Sequence, residues 1–139
     1  MKQLSYFTIC EDIAHQTFMD EFLKLMASAD VSFARKEECF WRFKFANKSD
    51  VLQNYAEVAA RSVKEYAADI VFVIADYDDW ELAEFNQWHS SLNDGLQTDI
   101  RQTTFILLPV RAIEFWLWHL NYIKNNPGST RNENIDNRK

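Results

Sequence analysis

Ile70-Val71-Phe72-Val73-Ile74-Ala75-Asp76-Tyr77-Asp78-Asp79 is the stretch on which the reading of this chain turns. A short, β-branched apolar run stops abruptly in carboxylates. Such a run suits a strand buried on both faces of a parallel sheet. The acids then fall at the strand's carboxyl end, where open α/β sheets bind ligands. Side chains alternate along a strand, so Asp76 and Asp78 share a face if the strand continues that far. Two carboxylates on one face can hold a divalent cation, with water and substrate phosphate completing the shell. The plainer reading is an acidic loop leading into a helix whose first turn favours negative charge.

Further strands and helices extend outward from this one. Leu4–Cys10 is rich in β-formers and ends at Glu11, again an acid after a strand. Ile13, Thr17, Phe18, Phe22, Leu25 and Met26 recur at helical spacing, which predicts a helix over Ile13–Ala27 capped by Asp12. His15 falls in its first turn, where a surface position is expected. Cys39–Phe45 alternates Trp41, Phe43 and Phe45 with Arg42 and Lys44 and is read as the second strand, half covered, with a basic outer face. A second long helix is expected from Ser49 or Asp50 to Ala67, with an apolar stripe from Val51 to Tyr66. A third is expected over Trp80–Leu92, stopped by Asn93-Asp94-Gly95. Thr103–Leu108 is the fourth strand, ended by Pro109. Ile113–Ile123 is a helix of large apolar residues interrupted by Glu114 and His119, and Arg111 is near enough in sequence to pair with Glu114.

Strand and helix thus alternate four times. The pattern predicts an α/β, Rossmann-like domain over residues 1–124: a mainly parallel sheet of about four strands, with helices on both faces. Right-handed crossovers bring the strands' carboxyl ends to one rim, so Glu11, Asp76 and Asp78 can meet there. Residues 125–139 are polar and aperiodic, and a flexible tail is expected.

Composition bounds the function. The 139 residues carry a formal net charge of −6, which is no bulk footprint for nucleic acid; such a ligand needs a local basic patch or a bound metal. Hydrophobic residues make up 47% of the chain against only two glycines and two prolines, so a disordered or fibrous chain is excluded. Cys10 and Cys39 lack metal-ligand spacing and are expected as reduced thiols of a cytoplasmic protein. Glu11 and Asp12 break the first apolar run, so no signal peptide is read. No apolar stretch reaches the roughly 20 residues of a membrane span, and no membrane partner is expected.

The order strand–Glu–helix–strand–helix–strand–Asp-x-Asp–helix–strand–helix resembles the TOPRIM domain. Cys10-Glu11 and Asp76-Tyr77-Asp78 carry the resemblance, and Pro109–His119 is similar to the proline–glutamate–tryptophan–histidine segment of the RloB-like branch, near the OLD-type nucleases. The family departs from this chain where it has glycine after its glutamate and Asp12 stands here. The resemblance implies a Mg2+- or Mn2+-dependent nuclease, with a role in defence against phage or mobile elements. Carried over, Asp76 and Asp78 are metal ligands, and Glu11 is the general acid or base that also helps to hold metal. Asp79, Glu114 and His119 are auxiliary groups. Arg42, Lys44 and Arg111 are the nucleic-acid contacts, with DNA ahead of RNA. The alternative is a non-catalytic TOPRIM-like interaction subunit, a homodimer or a member of a larger defence complex, docking through the aromatics of Phe115–Tyr122. A phosphoacceptor receiver domain ranks below both, because acids beside Asp76 would repel a phosphoryl group.

Overall fold

The computed structural model describes residues 2–77, 82–110 and 113–126, with the side chains of residues 82–83 and 113–115 outside that description. Asp78, Asp79, Arg111 and the Glu114 side chain, all named above, therefore lie outside the described residues, as do residues 127–139 of the polar tail.

Nine main elements follow in order: β1 (Lys2–Ile9), α1 (Ile13–Met26), β2 (Val31–Arg35), α2 (Glu37–Arg42), α3 (Lys48–Lys64), β3 (Ile70–Ile74), α4 (Leu82–Asp94), β4 (Thr104–Leu107) and α5 (Ile113–Asn125). A 3-10 turn, Thr98–Ile100, precedes β4. The four strands form one all-parallel sheet in the order β2-β1-β3-β4, which is a Rossmann-like α/β architecture. The fold class agrees with the sequence reading.

Each face of the sheet has its own core. Phe7 and Ile9 of β1, Val71 and Val73 of β3 and Ile106 of β4 face one way, against Val51, Tyr55 and Ala59 of α3 and Cys39 and Phe40 of α2. Tyr6, Cys10 and Ile74 face the other way, against Met19 and Leu23 of α1. The alternation is the period-2 pleat of β1 and β3 written into burial. α1 is fixed to its face by the Tyr6 hydroxyl, which donates to Asp20 Oδ1 at 2.6 Å. α5 lies beside α1, where Lys124 Nζ pairs with Glu21 at 3.0 Å.

One strand is not where the alternation in Cys39–Phe45 predicts it. The second strand is Val31–Arg35, and Glu37–Arg42 is the short helix α2. Two local forces favour the helix: Glu37 and Glu38 sit in its first turn and Arg42 in its last, complementing the helix dipole. The helix buries Cys39 and Phe40 and turns Trp41 out to 80% exposure. Phe43 is extended at the end of α2, and residues 43–45 join no strand ladder. The remaining boundaries move little: α3 starts at Lys48 under an Asn47 cap, and α5 runs two residues beyond its expected end.

β4 is an open edge. Val71 N and Ala75 N donate to the carbonyls of Thr103 and Leu107, so the Ile106 carbonyl faces away from β3. His89 Nε2 of α4 donates to that carbonyl at 3.1 Å, which covers part of the edge.

Gly95, just past α4, is required by packing. A Cβ there would collide with the Tyr55 hydroxyl, which donates to the Leu92 carbonyl at 2.6 Å. Gly95→Ala should therefore destabilise the protein by about 1–3 kcal/mol. In a Tyr55→Phe background, which lacks the obstructing oxygen, the same substitution should cost clearly less. Chemical denaturation of the four proteins of this cycle checks both statements; equal penalties in the two backgrounds would show that the hydroxyl is not the obstacle.

Candidate functional site

Strand order fixes where a ligand can sit. From β1 the chain moves to β2 on one side, then crosses back to β3 and β4 on the other. The order reverses between β1 and β3, and the crevice outside their carboxyl ends is the switch point at which open α/β sheets bind ligands. The residues delivered there are Cys10, Glu11 and Asp12 from β1 and Ala75, Asp76 and Tyr77 from β3.

β3 ends formally at Ile74, yet its pairing with the next segment continues: Ala75 N bonds the Leu107 carbonyl at 3.2 Å and Tyr77 N the Pro109 carbonyl at 2.8 Å. The backbone keeps its ladder bonds as far as Tyr77, and the pleat persists that far. Val73, Ala75 and Tyr77 are buried together on the α3 face. Asp76 projects to the opposite face, toward α1.

There it meets His15. The imidazole is fully buried, and its Nε2 lies 3.2 Å from Asp76 Oδ1. A carboxylate only accepts, so Nε2 carries the proton. His15 thus overturns the expectation of a surface histidine. The reason is rotational: Asp12 caps α1 by accepting from Ala14 N at 2.6 Å, and this fixes the helix phase so that His15 faces the sheet, in line with Met19 and Leu23. Its Nδ1 is buried without a partner among the described residues. The Asp76 side chain is 26% exposed. One oxygen is tied inward, and the other has no partner among the described residues.

Glu11 lies at the same end of the sheet but in a different recess. It lines a cleft of about 220 Å3 with Asp12, Gln16, Lys44 and Phe45. Lys44, on the segment between α2 and α3, is thereby brought to Glu11, a juxtaposition that sequence distance conceals. Arg42 is exposed nearby and lines an adjoining cleft with Lys44 and Asp50. His119 is half-buried in α5, with its ring 6.5 Å from that of Trp116, and burial lowers its pKa. No contact among the described residues joins it to Asp76.

The described residues contain no group of three or more His, Cys, Asp or Glu side chains placed to hold a metal. Asp76 instead offers a single oriented carboxylate, which fits a Mg2+-type site, where one or two carboxylates suffice and water and phosphate supply the other ligands. Cys10 is not a nucleophile for this site. Burial pushes its thiol up to about 12, and its Sγ donates to the Asp12 carbonyl at 3.5 Å.

Comparison of the chain with protein-family models, curated proteins and solved structures returns no match.

The thiol makes a direct prediction. A raised pKa means that the fold favours the protonated form, so the contribution of Cys10 to stability is whole below pH 9.0 and is lost as pH rises toward about 12. At pH 8 the native protein should leave Cys10 unlabelled by iodoacetamide over hours, while the unfolded protein labels within minutes. Rapid native labelling at Cys10, mapped by mass spectrometry, would show an accessible thiolate at the rim.

Proposed function

We propose that this protein is a TOPRIM-type, Mg2+- or Mn2+-dependent nuclease acting on nucleic acid, DNA ahead of RNA, in the cytoplasm of a cell defending itself against phage or mobile elements. The observation that carries the reading is the Asp76 carboxylate at the β1/β3 switch point, oriented by a buried histidine and left with one oxygen unpartnered among the described residues. The resemblance in the order of Glu11 and Asp76-Tyr77-Asp78 supplies the reaction class. The free, buried state of Cys10 and Cys39 suits a reducing compartment. No helix among the described residues is long and apolar enough to cross a membrane.

In this reading Asp76 and Asp78 would hold the cation, with Glu11 helping. When bound, it neutralises phosphate charge and makes a bound water a better nucleophile near neutral pH. His15 holds Asp76 in one rotamer by donating through Nε2. Glu11, in its cleft beside Lys44, serves as the general acid or base, and the Lys44 ammonium offers a counter-charge to a phosphate in that cleft. Asp79 and Glu114 keep their auxiliary roles, and Arg111 that of a nucleic-acid contact.

A second reading, a non-catalytic interaction subunit, is favoured by a groove of about 410 Å3 lined by Phe18, Phe85, Ile106 and Leu108 beside exposed Phe105. A homodimer or a larger complex would use that surface.

Calorimetric titration with Mn2+ separates the two. The nuclease reading predicts saturable binding near one ion per chain, abolished by Asp76→Asn. His15→Leu should weaken it about 10–100-fold, because the carboxylate loses the partner that orients it. Glu11→Gln should lose cleavage. Metal affinity unchanged in Asp76→Asn would remove the proposed site.

A further inference from the structure

Trp41 is the most exposed of the large hydrophobic side chains described, at 80%. Its position is held firmly nonetheless. Its neighbours in α2, Cys39 and Phe40, are buried, and the Phe40 ring meets Phe7 of β1 edge-on at 4.8 Å. α2 is therefore anchored by one side while the indole is presented on the other. Burying an indole is worth several kcal/mol, so a rigid helix that holds one in water is a surface awaiting a flat, apolar ligand.

The surrounding charge says which ligand. Lys44 Nζ lies over the indole, 5.9 Å from the ring centroid, and Arg42, the next residue in the chain, is exposed. Neither has an ion-pair partner among the described residues, whereas neighbouring Arg35 is committed to Asp20 and Glu37, and Lys36 to Glu38. An exposed aromatic ring with a cation at its face and a second exposed cation next to it in the chain is complementary to a base and its phosphates. The surface also reaches the Glu11 cleft. β2 ends at Arg35, level with Tyr6 in the middle of β1, and the chain runs on from α2 to Lys44 and Phe45, which line the cleft that holds Glu11. Lys44 belongs both to this platform and to the Glu11 cleft.

We propose that Trp41, Arg42 and Lys44 form a stacking platform for single-stranded nucleic acid. A base lies on the indole, and the backbone passes Lys44 toward the Glu11 cleft. The strand must be single because a duplex hides the base faces that an indole can cover. The proposal deepens the nuclease reading by naming its substrate class, and rests on that reading only for the strand's destination.

The test is fluorescence anisotropy of a labelled single-stranded DNA of mixed sequence, with EDTA present so that no metal site contributes. Trp41→Ala should weaken binding about tenfold or more, and Trp41→Phe should restore it to within a few-fold. The matching duplex should bind more weakly to the natural protein and be indifferent to Trp41→Ala. Replacing Arg42 and Lys44 together by Ala should flatten the slope of log affinity against log salt by about 1.4. Because EDTA takes the metal site out of the measurement, loss of that site and loss of the platform are read separately. Because Trp41 is exposed, its variants should unfold at the natural midpoint, which denaturation verifies. Undiminished single-strand binding by Trp41→Ala overturns the proposal. So does a fall in self-association on that substitution with strand binding unchanged, which would make Trp41 a contact between copies of the chain.

Discussion

The hydrogen bond between His15 and Asp76 is the constraint around which the functional end of this molecule is arranged. It joins the first turn of α1 to the turn after β3, across the one crevice that the strand order opens. A hydrogen bond to a charged group contributes about 1.5–3 kcal/mol, more than its neutral counterpart. Removing Asp76 costs more than the bond, because the buried imidazole would be left with neither nitrogen satisfied among the described residues. The contact therefore fixes the phase of α1 and the direction of Asp76 together. Everything proposed for the rim depends on that carboxylate presenting one oxygen to solvent.

The rest of the fold can be followed back to this rim. Asp12 caps α1 and turns His15 inward; the same loop sends Glu11 into the cleft shared with Lys44. Pairing beyond Ile74, from Ala75 to Leu107 and from Tyr77 to Pro109, keeps Asp76 in strand-like register. Tyr77 is buried and Asp76 faces α1 for the same reason: the pleat alternates. The two cores behave as separate supports, with α3 holding one side of β3 and α1 the other.

Much of this was legible in the sequence where one signal dominates. The β-branched run of β3 and the apolar stripe of α3 leave little choice, and their ends fall within a few residues of expectation. β2 was not legible. Val31-Ser32-Phe33-Ala34-Arg35 is short and mixed in character, while the aromatic alternation just downstream imitates a better strand. Helix dipole complementarity in Glu37–Arg42 and the burial of Phe40 against Phe7 decide against that imitation, and the second of these is tertiary. His15 was missed for a similar reason. Its partner is 61 residues away, and no local pattern records a contact that only the β1–β3 pairing creates. Trp41 follows from the same misreading: in a strand it would be buried, whereas in α2 it is presented outward.

The central claim is that the β1/β3 carboxyl rim, centred on Asp76, is where a divalent cation binds. The most direct measurement is paramagnetic broadening of backbone amide resonances on adding substoichiometric Mn2+ to isotopically labelled protein. The account predicts early, selective loss of the amides of Glu11, Asp12, Asp76 and Tyr77, with those at the opposite end of the sheet, such as Lys2 and Asp69, untouched. Broadening centred instead on the surface acids of α2 or of the turn before β4, with the rim sharp, would contradict it.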